Sequence, residues 1–207
     1  MLPAAEARLP REGRVLDVGG GTNPVARADV VLDLLPGATV QRDVCDRDPW
    51  PFDDDEFDFA VCSHTLEDVR DPIWVCAELQ RVARAGYVEV PSRLEEQAWG
   101  VHGEWVGWSH HRWLVDVGED EIVFAHKSHA VHREGNHFPR GFHATLSPER
   151  RIQWLWWEGS FGARERIFTD VAEHDEWLAA PVRAHGHEVR ALELRTRRGA
   201  LLRFLGS

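Results

Sequence analysis

The sequence predicts an α/β fold built on a mostly parallel, doubly wound sheet with antiparallel elements in its second half, and three observations predict it. Arg14-Val-Leu-Asp-Val18 is an aliphatic, β-branched run that enters a glycine turn at Gly19-Gly-Gly21, the pattern of a buried strand. Comparable runs recur as far as Ser92, separated by helical or short connecting stretches, which is the alternation a parallel sheet requires. Beyond Arg93 the pattern changes to hairpin-like pairs rich in Trp and His.

Each element follows in order. Asn23-Pro24 supplies a helix cap and an N1 proline, but Asp29-Val-Val-Leu-Asp33 already reads as the second strand, so the intervening helix is limited to one or two turns. Val40 to Val44 is a third short strand, followed by an acidic loop from Asp46 to Glu56. Phe57-Asp-Phe-Ala-Val-Cys62 is the fourth strand. A helix begins at Asp71-Pro72, with Ile73, Val75, Cys76, Leu79, Val82 and Ala83 at helical spacing and Gly86 as its stop. Tyr87-Val-Glu-Val90 is a strand ended by Pro91. Trp113 to Val117 and Glu121 to Ala125 flank a Gly118-Glu-Asp turn and form a hairpin. Arg151 to Trp157 and Val189 to Leu205 read as further strands, with a short helix around Asp175 to Ala184.

Composition narrows the functional classes. A chain of 207 residues holds one domain with a full core. Its net charge of −11 argues against nucleic acid as a partner, because phosphate binding needs clustered Lys and Arg, and a small molecule is the expected ligand. Cys45, Cys62 and Cys76 are odd in number and unpatterned, so neither a disulfide framework nor a cysteine zinc site is expected, and a reducing cytoplasm fits. The first eleven residues lack the apolar run of a signal peptide, and no run approaches a membrane span.

The first site signal is Asp17-Val-Gly-Gly-Gly-Thr-Asn23, a glycine loop directly after a buried strand, where the backbone can approach a ligand closely. By itself such a loop also serves as a plain tight connection. Asp33 strengthens the ligand reading, since it ends the next strand where a doubly wound fold places an acid against ribose hydroxyls.

These residues stand in a longer order: Val15-Leu-Asp-Val-Gly-Gly-Gly21, Asp33, Arg42-Asp-Val44, Pro51-Phe52, Phe57-Asp-Phe-Ala-Val-Cys-Ser-His-Thr-Leu-Glu67 and Glu78-Leu-Gln-Arg-Val82. That order resembles the class I S-adenosylmethionine (SAM)-dependent methyltransferases, and especially their small-molecule "type 11" group, over residues 14–92. The resemblance implies a Rossmann-like fold with SAM as cofactor. It places Asp17, Gly19 and Gly21 at the methionine end of SAM, Asp33 at its ribose and Asp43 with Val44 at its adenine, and it has Ser63 and His64 close the pocket after the fourth strand. The sequence departs from the pattern at Asn23, where glycine is common, in the abbreviated first helix, and at Asp68, where His commonly follows Leu-Glu.

A weaker resemblance extends through Gly86-Tyr-Val-Glu-Val-Pro-Ser92 and His110-His-Arg-Trp-Leu-Val115. It implies one domain in which residues 11–92 bind SAM, 93–157 form an acceptor-side insertion or lid, and 158–207 complete the fold. Glu89, Glu95, Glu96, Trp99, Trp105 and Trp108 are then candidates to line the acceptor pocket. His110 and His111 are candidates for the catalytic base, because imidazole accepts protons near neutral pH; adjacent loop histidines also serve as solvated structural groups. His126, His129 and His132 would gather a metal only on one helical turn, with His137 or His143 as a fourth ligand. The strand-like approach from Glu121 argues for extended backbone, which turns them to alternating faces, so no metal is expected. Trp154, Trp156 and Trp157 suit a core, and any exposed part suits a homodimer contact.

The function expected is methyl transfer from SAM to an oxygen, nitrogen or carbon of a small-molecule acceptor. Two alternatives stay open: a SAM-fold enzyme with different, metal-assisted chemistry on its histidine-rich half, and a non-catalytic SAM-binding or accessory module.

Overall fold

The computed structural model describes residues 1–205, with side chains as far as Thr196. The chain forms two compact units. One contains Met1–Ser92, His110–His126 and Ile152–Ile167, and the other contains Arg93–Ser109, Lys127–Arg151 and the residues from Phe168 onward.

The first unit carries β1 (Val15–Val18), β2 (Val30–Asp33), β3 (Val40–Gln41), β4 (Phe59–Ser63), β5 (Ala85–Pro91) and β8 (Ile152–Glu158) in one six-stranded sheet of order β3-β2-β1-β4-β5-β8. Its first five strands run parallel, and β8 runs antiparallel to β5. Strand alternation sorts the side chains between two apolar clusters. Leu16, Val18, Ala60 and Cys62 enter the larger one, whereas Val15, Phe59 and Val61 face the other way.

Helix α2 (Pro72–Val82) covers the larger cluster with Val75, Cys76, Leu79 and Val82, all fully buried. Burial of an aliphatic side chain of this size contributes about 1.5–3 kcal/mol. Asp71 caps the helix, accepting a hydrogen bond from the Trp74 N–H at 3.0 Å. On the opposite face the β1–β2 connection forms turns and no helix, so that face is covered from the N-terminal side. Helix α1 (Pro3–Glu6) and the residues after it place Ala5 and Leu9 against Val15, Phe59, Val61 and Tyr87.

A three-stranded sheet, β6-β7-β9, joins β6 (Trp113–Val117) and β7 (Glu121–His126) as an antiparallel hairpin, with β9 (Gly162–Glu165) parallel to β7. Gln153 on β8 ties it to the central sheet: its amide donates to the Val115 carbonyl at 2.9 Å and accepts from the Val117 N–H at 3.2 Å. Trp157 lies in the core, and the Trp156 ring sits 4.5 Å from that of Tyr87, whereas Trp154 is 44% exposed. The cluster is thus largely packing, with one ring left at the surface.

The second unit contains α3 (Arg93–Glu96), α4 (Val171–Ala184) and α5 (Gly186–Leu205) around Ala98, Phe138, Phe142 and Leu146. Gln97 is fully buried and donates to the Asn136 and Leu178 carbonyls at 2.7 and 2.9 Å, which satisfies a polar group that would otherwise be costly inside. Among the described residues no helix is long and apolar enough to cross a membrane.

The structure corrects several sequence expectations. The segment 189–205 is helical and not a strand, because its Arg, Ala, Leu and Glu content favours helix over the apolar alternation seen near Val189. No helix follows Asn23-Pro24, and the third strand stops at Gln41. His129–His132 form a 3₁₀ turn and not extended backbone. Gly86 does not end α2, which stops at an extended Ala83; it lies inside β5. A Cβ there would stand 2.5 Å from the Ala60 carbonyl oxygen and 2.6 Å from Cζ2 of Trp157. Gly86→Ala is therefore expected to overpack the sheet and cost about 1–3 kcal/mol. Urea unfolding would read this as a lower midpoint, and an unchanged midpoint would contradict the close packing of β4, β5 and Trp157.

Candidate functional site

A cavity of about 310 Å³ opens at the carboxyl ends of the parallel strands, within the range of small-molecule sites and at the edge where such sheets bind ligands. Gly19 after β1, Asp33 and Leu34 at the end of β2, Asp43 and Val44 after β3, and Thr65 after β4 all line it.

Backbone hydrogen bonds build this wall. Asp33 Oδ2 accepts from the Gly21 N–H at 2.8 Å and Oδ1 from the Leu35 N–H at 2.7 Å, while the Gly19 N–H donates to the Leu32 carbonyl at 2.9 Å. A carboxylate has about four acceptor sites, so Asp33 can still accept from a diol. Gly19 has φ +76°, and a Cβ there would collide with the Thr65 hydroxyl. Only glycine lets the loop pass so close to the end of β4.

Asp17 is buried and accepts from the Val25 N–H at 2.7 Å, which closes the loop. Burial raises its pKa, the charge of Asp33 adds to the rise, and the Val25 N–H opposes both. Asp43 is held differently. Its Oδ2 accepts from Arg70 at 2.5 Å and its Oδ1 from the Cys45 N–H at 2.8 Å. Burial pushes its pKa up, but the Arg70 guanidinium and the Cys45 N–H outweigh that and hold it below the ordinary value. Arg70 also donates to the Cys45 carbonyl at 2.8 Å, so it clamps one end of the cavity.

Beside β4 a second polar group surrounds Glu89, which is buried in β5. It accepts from Tyr87 at 2.6 Å, from Ser63 at 3.1 Å and from the Leu2 N–H at 3.1 Å, with His64 Nε2 at 3.2 Å. Burial raises its pKa, but these partners together lower it to about 2. His64 has φ +55°, a left-handed conformation that His adopts more readily than most residues. Its Nδ1 lies 3.4 Å from Oε1 of Glu67, a buried carboxylate. Partial burial lowers the His64 pKa, and the two glutamates overcome this and raise it to about 9. The ring is therefore cationic at neutral pH and unsuited to act as a base there.

Asp68 and Arg112 also line the cavity. His110 Nε2 lies 3.7 Å from Asp68 Oδ2, and the rings of His110 and His111 meet edge to face at 4.7 Å. A family profile described as a methyltransferase domain matches residues 2–161. This chain belongs to the class I SAM-dependent methyltransferases.

SAM is the cofactor of this methyltransferase family. Solved structures similar to this methyltransferase include a SAM-dependent methyltransferase of Thermotoga maritima, at 22% identity and TM-score 0.37, with 47% of this chain matching 52% of that one. One of Mesorhizobium loti matches at 19% identity and TM-score 0.37, over 59% of this chain and 61% of that one. One of Methanosarcina mazei matches at 16% and 0.38, over 56% and 87%. The chain thus spans about half the length of the Thermotoga protein. No curated protein matches it.

Of the cofactor residues expected from sequence, the cavity brings together Gly19, Asp33, Asp43 and Val44. Asp17 and Gly21 support the loop through hydrogen bonds, and Ser63, His64 and Glu89 form the separate polar group. Glu95, Trp99, Trp105 and Trp108 belong to the second unit. There Glu95 meets His143 at 3.0 Å, Trp99 packs on His137 at 5.0 Å, Trp105 faces His132 at 5.8 Å, and Trp108 stacks with His102 at 5.7 Å. Sequence reasoning missed Thr65, Arg70 and Arg112. Thr65 and Arg112 stand inside the quoted runs Phe57–Glu67 and His110–Val115, and Arg70 is a lone cation between the acidic Asp68 and Asp71.

The His64 shift has a measurable consequence. Because the folded-state value lies above the ordinary 6.5, the protonated ring contributes fully to stability below about pH 6.5, and that contribution is lost as pH rises through about 9. Histidine NMR should find His64 titrating near 9. His64→Asn, which keeps a residue tolerant of left-handed backbone, should flatten the stability loss across that window. A His64 titration near 6.5 would contradict the Glu67 and Glu89 environment.

Proposed function

We propose that this chain binds SAM in the cavity at the ends of β1 to β4 and transfers its methyl group to a small-molecule acceptor. The observation that carries the reading is Asp33: a buried carboxylate at the end of β2, fixed by two backbone N–H groups and facing the cavity. In this reading it accepts hydrogen bonds from the ribose diol. Gly19 gives the methionine end close backbone approach, and Asp43 and Val44 border the adenine. Asp17 and Gly21 hold the loop that presents these groups, while Ser63 and His64, with Glu89, fix the end of β4 beside it.

The reaction is an in-line displacement. The acceptor atom forms a bond to the methyl carbon as the carbon–sulfur bond breaks and its electron pair returns to sulfur, leaving S-adenosylhomocysteine. Orientation supplies most of the acceleration in such a step. His110 and His111, beside Asp68 at the cavity wall, serve the acceptor side. An oxygen, nitrogen or carbon acceptor fits this chemistry. The net charge of −11 favours a small molecule over nucleic acid.

Asp33→Ala should weaken SAM binding by about 1–3 kcal/mol, the cost of removing charged-acceptor hydrogen bonds. Calorimetric titration of both proteins with SAM measures this directly. Equal affinities would remove Asp33 from the site and the reading with it.

A further inference from the structure

We propose that Asp68, His110 and His111 form a binding site for a divalent transition metal at the wall of the cofactor cavity. One carboxylate oxygen and one ring nitrogen from each histidine lie within 4.8 Å of one another. Ligand atoms around a tetrahedral zinc-sized ion are about 3.3–3.6 Å apart, since Zn–N and Zn–O bonds are about 2.0–2.2 Å. Small side-chain rotations close the difference.

The backbone already holds the three residues together. The N–H groups of Arg112 and Trp113 both donate to the Glu67 carbonyl, at 2.8 and 3.2 Å. The Trp113 indole N–H donates to the Val69 carbonyl at 2.8 Å. These bonds pin the peptide carrying His110 and His111 to the one carrying Asp68, on both sides of the carboxylate. A ligand set fixed in this way loses little entropy on closing around an ion.

A separate observation points to a cation. Asp68 Oδ1 is buried and, among the described residues, has no hydrogen-bond partner. A desolvated carboxylate oxygen without a donor is destabilising; Oδ2 is the oxygen that faces His110, so an ion held by both carboxylate oxygens would satisfy Oδ1 as well. The donor set selects the ion: two imidazoles with one carboxylate suit Zn²⁺, Co²⁺ or Fe²⁺, whereas Mg²⁺ and Ca²⁺ favour oxygen ligands. Three protein ligands leave a coordination position open, as in catalytic zinc sites.

The open position gives the ion a role that rests on the methyl-transfer reading, although metal binding itself does not. Asp68 and Arg112 both line the cavity, so an acceptor hydroxyl reaching this wall can coordinate the ion. Coordination lowers the hydroxyl pKa, its proton leaves to solvent, and the resulting oxygen nucleophile takes the methyl group. The site also explains Asp68 itself, which stands where the resemblance to other methyltransferases led one to expect His.

The test uses the full chain stripped with a chelator and titrated with Co²⁺, followed by its visible d–d absorption, and with Zn²⁺ by calorimetry. One equivalent should bind, and His110→Ala, His111→Ala and Asp68→Ala should each weaken binding by at least about tenfold. The two histidine variants should still bind SAM normally, which shows that they fold. Absence of stoichiometric metal binding by a chain that binds SAM overturns the metal site, leaves the methyltransferase reading intact and returns the triad to a His–Asp proton acceptor. Metal binding unchanged in the His110→Ala/His111→Ala double variant also overturns it, by placing the ion on other histidines. Metal binding without SAM binding supports the site and rejects the reading of the cavity.

Discussion

The hydrogen bond from the Gly21 N–H to Asp33 is the contact on which the cavity depends. It ties the glycine loop after β1 to the end of β2, while the Leu35 N–H on the other carboxylate oxygen sets the turn that follows. With both bonds made, the backbone at Gly19 and the carboxylate of Asp33 belong to one wall, and the loop needs no long helix behind it. The short β1–β2 connection is compatible with the fold for that reason, and for a second one: the residues around Ala5 and Leu9 cover the sheet face that a helix would otherwise cover.

The acids around the cavity differ in their surroundings more than in their sequence positions. Asp17 lies within the fold and holds the loop, Asp33 faces the cavity with accepting capacity left, and Asp43 is matched by Arg70. Glu89 and Glu67 keep His64 protonated beside β4. The same residue types thus perform structural and ligand-facing roles within one strand-end layer, and burial with hydrogen bonding decides which role each takes.

The first half of this arrangement was legible because its determinants are local. A strand of aliphatic residues, a glycine turn, an acid at the next strand end and an Asp-Pro helix cap all occur within a few residues of one another. The second half depends on distant pairings. β8 joins β5 across a register that matches Ala85 with Glu158 and Pro91 with Ile152, and nothing in either segment alone names its partner. The segment of helix α5 reads as a strand near Val189, where apolar and polar residues alternate, whereas helix propensity over the longer segment prevails. Asp68 read as a family departure in sequence, and its proximity to His110 and His111 comes from backbone bonds to the Glu67 carbonyl that span more than forty residues. Arg112 reaches the cavity wall by the same return of the chain.

A crystal structure with S-adenosylhomocysteine would show whether the strand-end cavity holds the cofactor. The ribose hydroxyls should lie within hydrogen-bond distance of Asp33, the adenine between Val44 and the Asp43 side of the cavity, and the amino acid end against Gly19. Density for the product elsewhere on the chain, with Asp33 contacting only the Gly21 and Leu35 backbone, would contradict this placement.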